Sequence, residues 1–217
     1  KQINNYFDNT IKLRDNIEQD INLLKNIFEK QDIHNNNIDS DKIIVETSLQ
    51  SFFFDQMDQV NKRSIKPFSQ EMIYYLSRVM DRLNDPTTLF EQTKSGQLQN
   101  RVMSLKLLEA GSMRKKQQNR ILQDVGESAL LLCGFFHRSL ENRLVDIEYY
   151  QKMGATAYIR LNKIVPEFFD IPSFYRGVGT SFKVLTDMMT VVARDFFDGS
   201  APPTGVVLIV NSKEKLP

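Results

Sequence analysis

Phe174-Tyr-Arg-Gly-Val-Gly-Thr-Ser-Phe-Lys-Val-Leu-Thr-Asp-Met-Met-Thr-Val-Val-Ala-Arg-Asp-Phe-Phe197 has the clearest periodicity in the chain. Phe174, Val178, Ser181, Leu185, Met188, Val192 and Phe196 follow at steps of 4, 3, 4, 3, 4 and 4 residues, the repeat that lays one stripe along an α-helix. Asp170 ahead of Pro172 is a helix-start signal, so a helix is expected over about 172–197, with this stripe turned to the core.

Working upstream, Pro166 and Pro172 bracket a connector, Glu167-Phe-Phe-Asp-Ile171, whose aromatics are expected to pin it to the core. Before it, Ile147, Tyr150, Gly154, Ala157, Leu161 and Ile164 predict a helix over about 143–164. From about 97 to 141 the pattern stays helical, with Leu98, Val102, Leu105 and Leu108, then Ile121, Val125, Leu132, Phe135 and Phe136. Breaks are expected near Gly111-Ser112 and Asp124–Gly126, because a glycine inside a helix costs about 1 kcal/mol relative to alanine. Met72, Leu76, Val79 and Leu83 mark a helix over 68–84, ended by Asn84-Asp-Pro-Thr-Thr88, which also caps a short fourth element. Another helix, about 41–62, ends before Lys66-Pro67. The first, about 2–30, carries Ile17, Ile21, Leu24 and Phe28. Downstream of residue 197, Val206-Val-Leu-Ile-Val210 is the one β-type run, in a tail read as extended.

The expected fold is therefore all-α: an irregular bundle of about seven helices with the 172–197 helix near the centre and an extended apolar tail. Residues 1–60 are read as an acidic helical hairpin packed on or appended to a core of 61–197, and 198–217 as the tail. Composition agrees. The 217 residues are 41% hydrophobic and 25% charged, ordinary for a globular protein and unlike a disordered or collagen-like chain. All nine glycines follow residue 95 and the first proline is Pro67, so the opening third lacks the punctuation of hairpins. The net charge of +1 hides 6 Lys+Arg against 11 Asp+Glu in residues 1–60, and 22 against 16 in the remainder.

The single Cys133 lies in an apolar stretch with no adjacent cation to lower its pKa, so it reads as a buried small hydrophobe and favours a reducing, cytoplasmic setting. The apolar stretch is far shorter than the roughly 20 residues of a membrane-spanning helix. No direct membrane insertion is expected. Opening on Lys1 rather than Met leads to the expectation of a trimmed N-terminal segment.

Catalytic and metal chemistry find few residues to use. His34 and His137 are the two histidines. His137 and Glu141 stand four apart, a spacing used by metal-binding helices, but no second carboxylate–His pair accompanies them. Arg176-Gly-Val-Gly-Thr-Ser181 lacks the Gly-Lys-Ser/Thr end of a phosphate loop and follows no expected strand. No catalytic, metal or cofactor residue is assigned, and no cofactor is expected. The basic run Arg114-Lys-Lys-Gln-Gln-Asn-Arg120 has no interleaved aromatics and reads as a solvated helix face, with nucleic acid not expected as a partner.

Two features favour protein contacts. Phe52, Phe53 and Phe54 are consecutive on a helix, where neighbours diverge by about 100°, so one stripe cannot bury all three. A second surface is needed, on another helix of the domain or on a partner. Val206, Val207, Leu208, Ile209 and Val210 could pack as a tail, pair with a second copy, or extend a partner's sheet. A small-residue seam, Gly126, Ala129 and Cys133 facing Gly154 and Ala157, is expected to let two helices pack closely.

Within Leu130–Tyr158, Gly134-Phe-Phe136, Arg143-Leu-Val-Asp146, Tyr149-Tyr150 and Gly154-x-x-Ala157-Tyr158 resemble a pattern of uncharacterised helical bacterial proteins. The Asn- and Gln-rich, Trp-free helical character is similar to that of the DotZ-like accessory subunits of the Dot/Icm type IV secretion coupling complex. That resemblance implies a non-enzymatic adaptor facing the cytoplasm, with other proteins of a bacterial assembly as partners. The alternative is a small helical enzyme or ligand-binding regulator with a pocket around His137, Glu141 and Tyr149.

Overall fold

The computed structural model of the chain describes residues 49–84, 90–92, 98–100, 103–140, 147–168 and 170–197, with Gln19 alone before them. Apart from Gln19, the expected helix over 2–30 lies outside the described residues, as does the run 206–210. Within those described, the architecture is the all-α one expected from the periodicity: an irregular bundle of helices, with two minimal antiparallel hairpins at its connections.

Helix α1 (Leu49–Lys62) and helix α2 (Gln70–Asp81) form the first pair. Their connection is closed by one side chain. The buried Asn61 donates from Nδ2 to the Phe68 carbonyl at 2.9 Å, and its Oδ1 accepts the Phe68 N–H at 2.8 Å. Ser69 then caps α2 by accepting from the Met72 N–H, the expected role for a hydroxyl at a helix start. Met72, Leu76, Val79 and Leu83 are all buried, as their spacing predicts.

After a 3₁₀ turn at Arg82–Asn84, strands β1 (Phe90–Gln92) and β2 (Leu98–Asn100) pair antiparallel, with Glu91 opposite Gln99. The helix expected from residue 97 therefore begins later, as α3 (Met103–Ala110). Its phase is set by Met103, Leu107 and Ala110, which are buried, so Leu105 and Leu108, expected in the core, face outward.

The break at Gly111-Ser112 is present, and α4 (Lys115–Leu130) follows. The break expected at Asp124–Gly126 is not there. Gly126 serves close packing instead: a Cβ on it would lie 2.8 Å from the ring of Tyr158. The helix changes pitch later, in a π turn at Leu131–Phe135, where the Phe136 N–H reaches the Leu131 carbonyl at 3.0 Å. A short α5 (His137–Leu140) follows.

Helix α6 (Ile147–Ile164) crosses α4 along the expected small-residue seam. A Cβ on Gly154 would sit 2.7 Å from that of Ala129 and against the Phe182 ring. The connector after α6 is a hairpin of β3 (Glu167–Phe168) and β4 (Ile171–Pro172), and Phe168 packs on the core as expected. Asp170 and Ser173 take left-handed conformations with φ of 58° and 57°, so they turn the chain at this hairpin, and Ser173 is the N-cap from which the next helix starts. The single helix expected over 172–197 is two, α7 (Phe174–Thr180) and α8 (Phe182–Phe197). Ser181, at φ −98° and ψ 9°, sits at the junction, while hydrogen bonds from its N–H to Gly177 and from Leu185 to its carbonyl keep the two nearly continuous. Gly179 fits under α6, where a Cβ would lie 3.0 Å from the Ala155 carbonyl oxygen. The tight α4–α6 pair forms the middle of the bundle, with α7 against α6 and α8 against the π turn and α1. No helix among the described residues is long and apolar enough to cross a membrane.

Candidate functional site

The expected interaction residues of α1 divide among three environments. Phe53 is fully buried, edge-on to Phe135 with ring centroids 5.7 Å apart. Phe52 lies half-buried against Phe53. Phe54, also half-buried, turns toward α2 and forms one wall of an open groove of about 390 Å³ with Gln70, Glu71 and Tyr74. Tyr74 is 40% exposed. The second surface needed by the three rings is thus supplied partly by the domain itself, and one aromatic edge is left facing water. Below the groove, Gln70 Nε2 donates to Asp58 Oδ1 at 2.9 Å, and Lys62 pairs with the same carboxylate. The Lys62 hydrogen bond, helped by Gln70, holds the Asp58 carboxyl below its ordinary range. Asp55 moves the other way, raised by burial and by the neighbouring Asp58 charge. Val206, Val207, Leu208, Ile209 and Val210 lie outside the described residues.

The structure also contains a polar network that spacing alone did not single out. Glu127 of α4 accepts from Gln123 Nε2 at 2.7 Å and from Tyr75 Oη at 3.3 Å on one oxygen, and from Arg82 Nη1 at 2.7 Å on the other. Arg82 Nη2 continues to Asp124 at 3.2 Å, whose other oxygen accepts from Lys106 Nζ at 3.1 Å. Tyr75 and Tyr158 place their hydroxyls 2.9 Å apart. An ionised carboxylate only accepts. Tyr75 therefore donates to Glu127, and Tyr158 donates to Tyr75.

Around these groups stands an aromatic layer. Tyr75 meets Phe168 and Phe174 edge-on at 5.4 and 5.3 Å, and Tyr158 stacks on Tyr175 with an interplanar angle of 14°. Burial, first of all, raises the ionisation of Tyr75 and Tyr158 well above that of a free phenol, and the Glu127 charge acts in the same direction. Tyr175 is pushed up to about 12, again mainly by burial. The phenols are thus held neutral. Tyr75 and Tyr158 act as hydrogen-bond donors that brace α2, α4 and α6, and none of the three phenols supplies a phenolate near neutral pH.

His137 opens α5 and is half-buried; its expected partner Glu141 lies outside the described residues. Tyr149 sits edge-on to Tyr150 on α6. Cys133 is buried within the π turn, with its thiol directed at the Ile147 carbonyl 3.8 Å away, and burial raises its pKa far above that of a reactive thiol. Among the described residues, no group of three or more His, Cys, Asp or Glu comes together to hold a metal ion. The basic run occupies the start of α4: Arg114, Lys115, Lys116 and Arg120 are all exposed.

Compared with known proteins, the chain matches no family model, and no curated protein or solved structure shows significant similarity to it.

Proposed function

We propose that the chain is a non-enzymatic helical adaptor or scaffold component of a bacterial multiprotein assembly, working in the cytoplasm. The assembly to which its sequence character points is a type IV secretion coupling complex. The observation that carries the adaptor reading is the α1–α2 groove. Two aromatic side chains, Phe54 and Tyr74, form its walls and stay in contact with water, although their chain neighbours Phe53, Ile73 and Tyr75 are buried in the core. Aromatic side chains of this kind are characteristic anchors of protein interfaces. The braced interior behind the groove supports the same reading, because a preformed surface loses little freedom when a partner binds.

The test replaces Tyr74 by Glu and Phe54 by Ser, separately and together, and quantifies the proteins co-purifying from the native host. The adaptor reading expects at least one partner to be retained by the parent chain and lost from the double variant, while the circular dichroism spectra coincide. An unchanged partner set would refute this groove as the interface.

A further inference from the structure

The corner where α3 turns into α4 breaks two local rules at once. Leu105 and Leu108, one helical turn apart on α3, are 54% and 71% exposed, although Met103, Leu107 and Ala110 of the same helix are buried. The turn is tight: Gly111 N–H reaches the Leu108 carbonyl at 3.1 Å and Met113 N–H the Ala110 carbonyl at 3.3 Å. Immediately beyond it, α4 begins with Arg114 at the cap, making no side-chain capping bond, and with Lys115 and Lys116 in the first turn, which contains no acidic residue. A helix N-terminus carries partial positive charge and favours Asp, Glu or a capping oxygen. Three successive cations there weaken the helix. Lys115, Lys116, Arg114 and Arg120 form no ion pair with a described residue, unlike Lys106, which is tied to Asp124. Residues that violate local preference are expected where function requires them.

We propose that this corner is a docking surface for an acidic amphipathic helix of a partner protein, with Leu105 and Leu108 receiving its apolar stripe and Arg114, Lys115, Lys116 and Arg120 facing its carboxylates. Described residues 103–120 hold five Lys+Arg and one Asp+Glu, so the complementary surface is anionic. Among nucleic acid, an anionic bilayer and an acidic protein helix, the residues of the corner favour the last. Nucleic acid gives the two leucines nothing to bury against, since its phosphates contact cations and its bases stack on aromatics. An anionic bilayer would repel Glu109, which lies exposed beside Leu105 and Leu108 on the same helix. A protein helix satisfies all three kinds of group, because it presents apolar residues at matching intervals and can place a cation opposite Glu109. The inference rests on the adaptor reading and adds a partner chemistry on elements other than those lining the α1–α2 groove.

The test measures fluorescence anisotropy of a synthetic helical peptide of about 18 residues, five turns, with leucines at i, i+3, i+4 and i+7 intervals, one Lys placed to face Glu109, and Asp and Glu elsewhere. A second peptide has Lys in place of the acids. The parent chain is expected to bind the acidic peptide saturably and at least about tenfold more tightly than the basic one, with affinity falling as salt rises from about 50 mM to about 500 mM. Leu105→Ser with Leu108→Ser, and Lys115→Glu with Lys116→Glu, should each weaken binding about tenfold or more. The Glu pair, which suits the helix start, should leave the Tm equal or higher, so its loss of binding cannot come from unfolding. Phe54→Ser with Tyr74→Glu should bind the peptide like the parent, which separates failure here from failure of the groove. Equal binding of both peptides, no binding of the acidic one, or parent-like affinity in either corner variant would overturn the proposal. So would binding of phosphatidylserine vesicles or an oligonucleotide in place of the peptide.

Discussion

Replacing Gly126 by Ala sets two effects of opposite sign against each other. In an ordinary helix interior the change stabilises by about 0.8–1 kcal/mol, because Gly is the poorer helix former. Here the added Cβ would lie 2.8 Å from both Cε2 and Cζ of Tyr158, against an ordinary carbon–carbon contact of about 3.5–4.0 Å. The ring has little room to retreat. Its hydroxyl is bonded to Tyr75 at 2.9 Å and its face is stacked on Tyr175. Overpacking of a fixed core costs about 1–3 kcal/mol, and in a site braced on two sides the upper part of that range applies. The net expectation is destabilisation by about 1–2 kcal/mol, which at this chain length lowers the Tm by about 2–4 °C per kcal/mol. Urea unfolding followed by far-UV circular dichroism gives the free energy directly. The coupling is testable too: Tyr158→Leu removes the ring, so the double variant should cost clearly less than the two single changes together. A Gly126→Ala protein as stable as the parent, or more stable, would show that Tyr158 does not occupy this position against α4.

Glu127→Leu leaves the guanidinium of Arg82 and the Tyr75 hydroxyl without their main acceptor. Because Arg82 keeps Asp124 and is a fifth exposed, the cost is expected near the lower end for a broken buried pair, about 2–3 kcal/mol in urea unfolding; a change under about 0.5 kcal/mol would remove the network from the stabilising elements. Raising the pH gives a different signature. Unfolded tyrosines lose their protons near pH 10 whereas Tyr75, Tyr158 and Tyr175 in the fold ionise later, so the unfolded state binds fewer protons and stability falls as the pH climbs above about 10. Absorbance at the phenolate band should show some tyrosines titrating only as the protein unfolds, Tyr175 being the first of the three at about 12; a single titration of all tyrosines near the free value in folded protein would contradict this. Cys133 should resist a thiol reagent in the native state and react at once in denaturant; rapid native reaction would place the thiol at the surface.

Helical class and most of the core could be read directly from periodicity, because apolar residues at steps of three and four admit one burial face. Val178, Leu185, Met188 and Val192 are buried as their stripe predicts, and so are Met72, Leu76, Val79 and Leu83. Phase was harder than class. Leu98 to Leu108 also has helical spacing, yet Leu98 pairs in a hairpin and the helix takes its phase from Met103, so the leucines at 105 and 108 point outward. Gly126 could be read as a break because a glycine weakens a helix locally, while the reason for keeping it is a ring 32 positions away in sequence. The Tyr75–Glu127–Tyr158 network was invisible for the same reason: each member is an unremarkable residue in its own helix, and only the crossing of α2, α4 and α6 brings them together. The closest sequence signal is an acid, Glu127, set beside Val125, Ala129 and Leu130 at positions that turn out to be core. Of the candidate interface, the three phenylalanines were legible as more than one stripe could bury, but Tyr74 and Glu71, which complete the groove, come from the neighbouring helix.

The π turn at Leu131–Phe135 has a consequence for descent. A wide turn of this kind holds one residue more than the α-helical path it replaces, and each residue in an α-helix accounts for about 100° of rotation. The segment His137–Leu140 that follows therefore faces a direction that an uninterrupted α4 would not give it. A related chain whose helix is regular at this point should align with a one-residue gap within 131–135, and a single deletion there would turn the following segment by about 100° instead of merely shortening it. The position of such a gap would date the turn as an insertion and give a marker by which distant members of this lineage could be ordered.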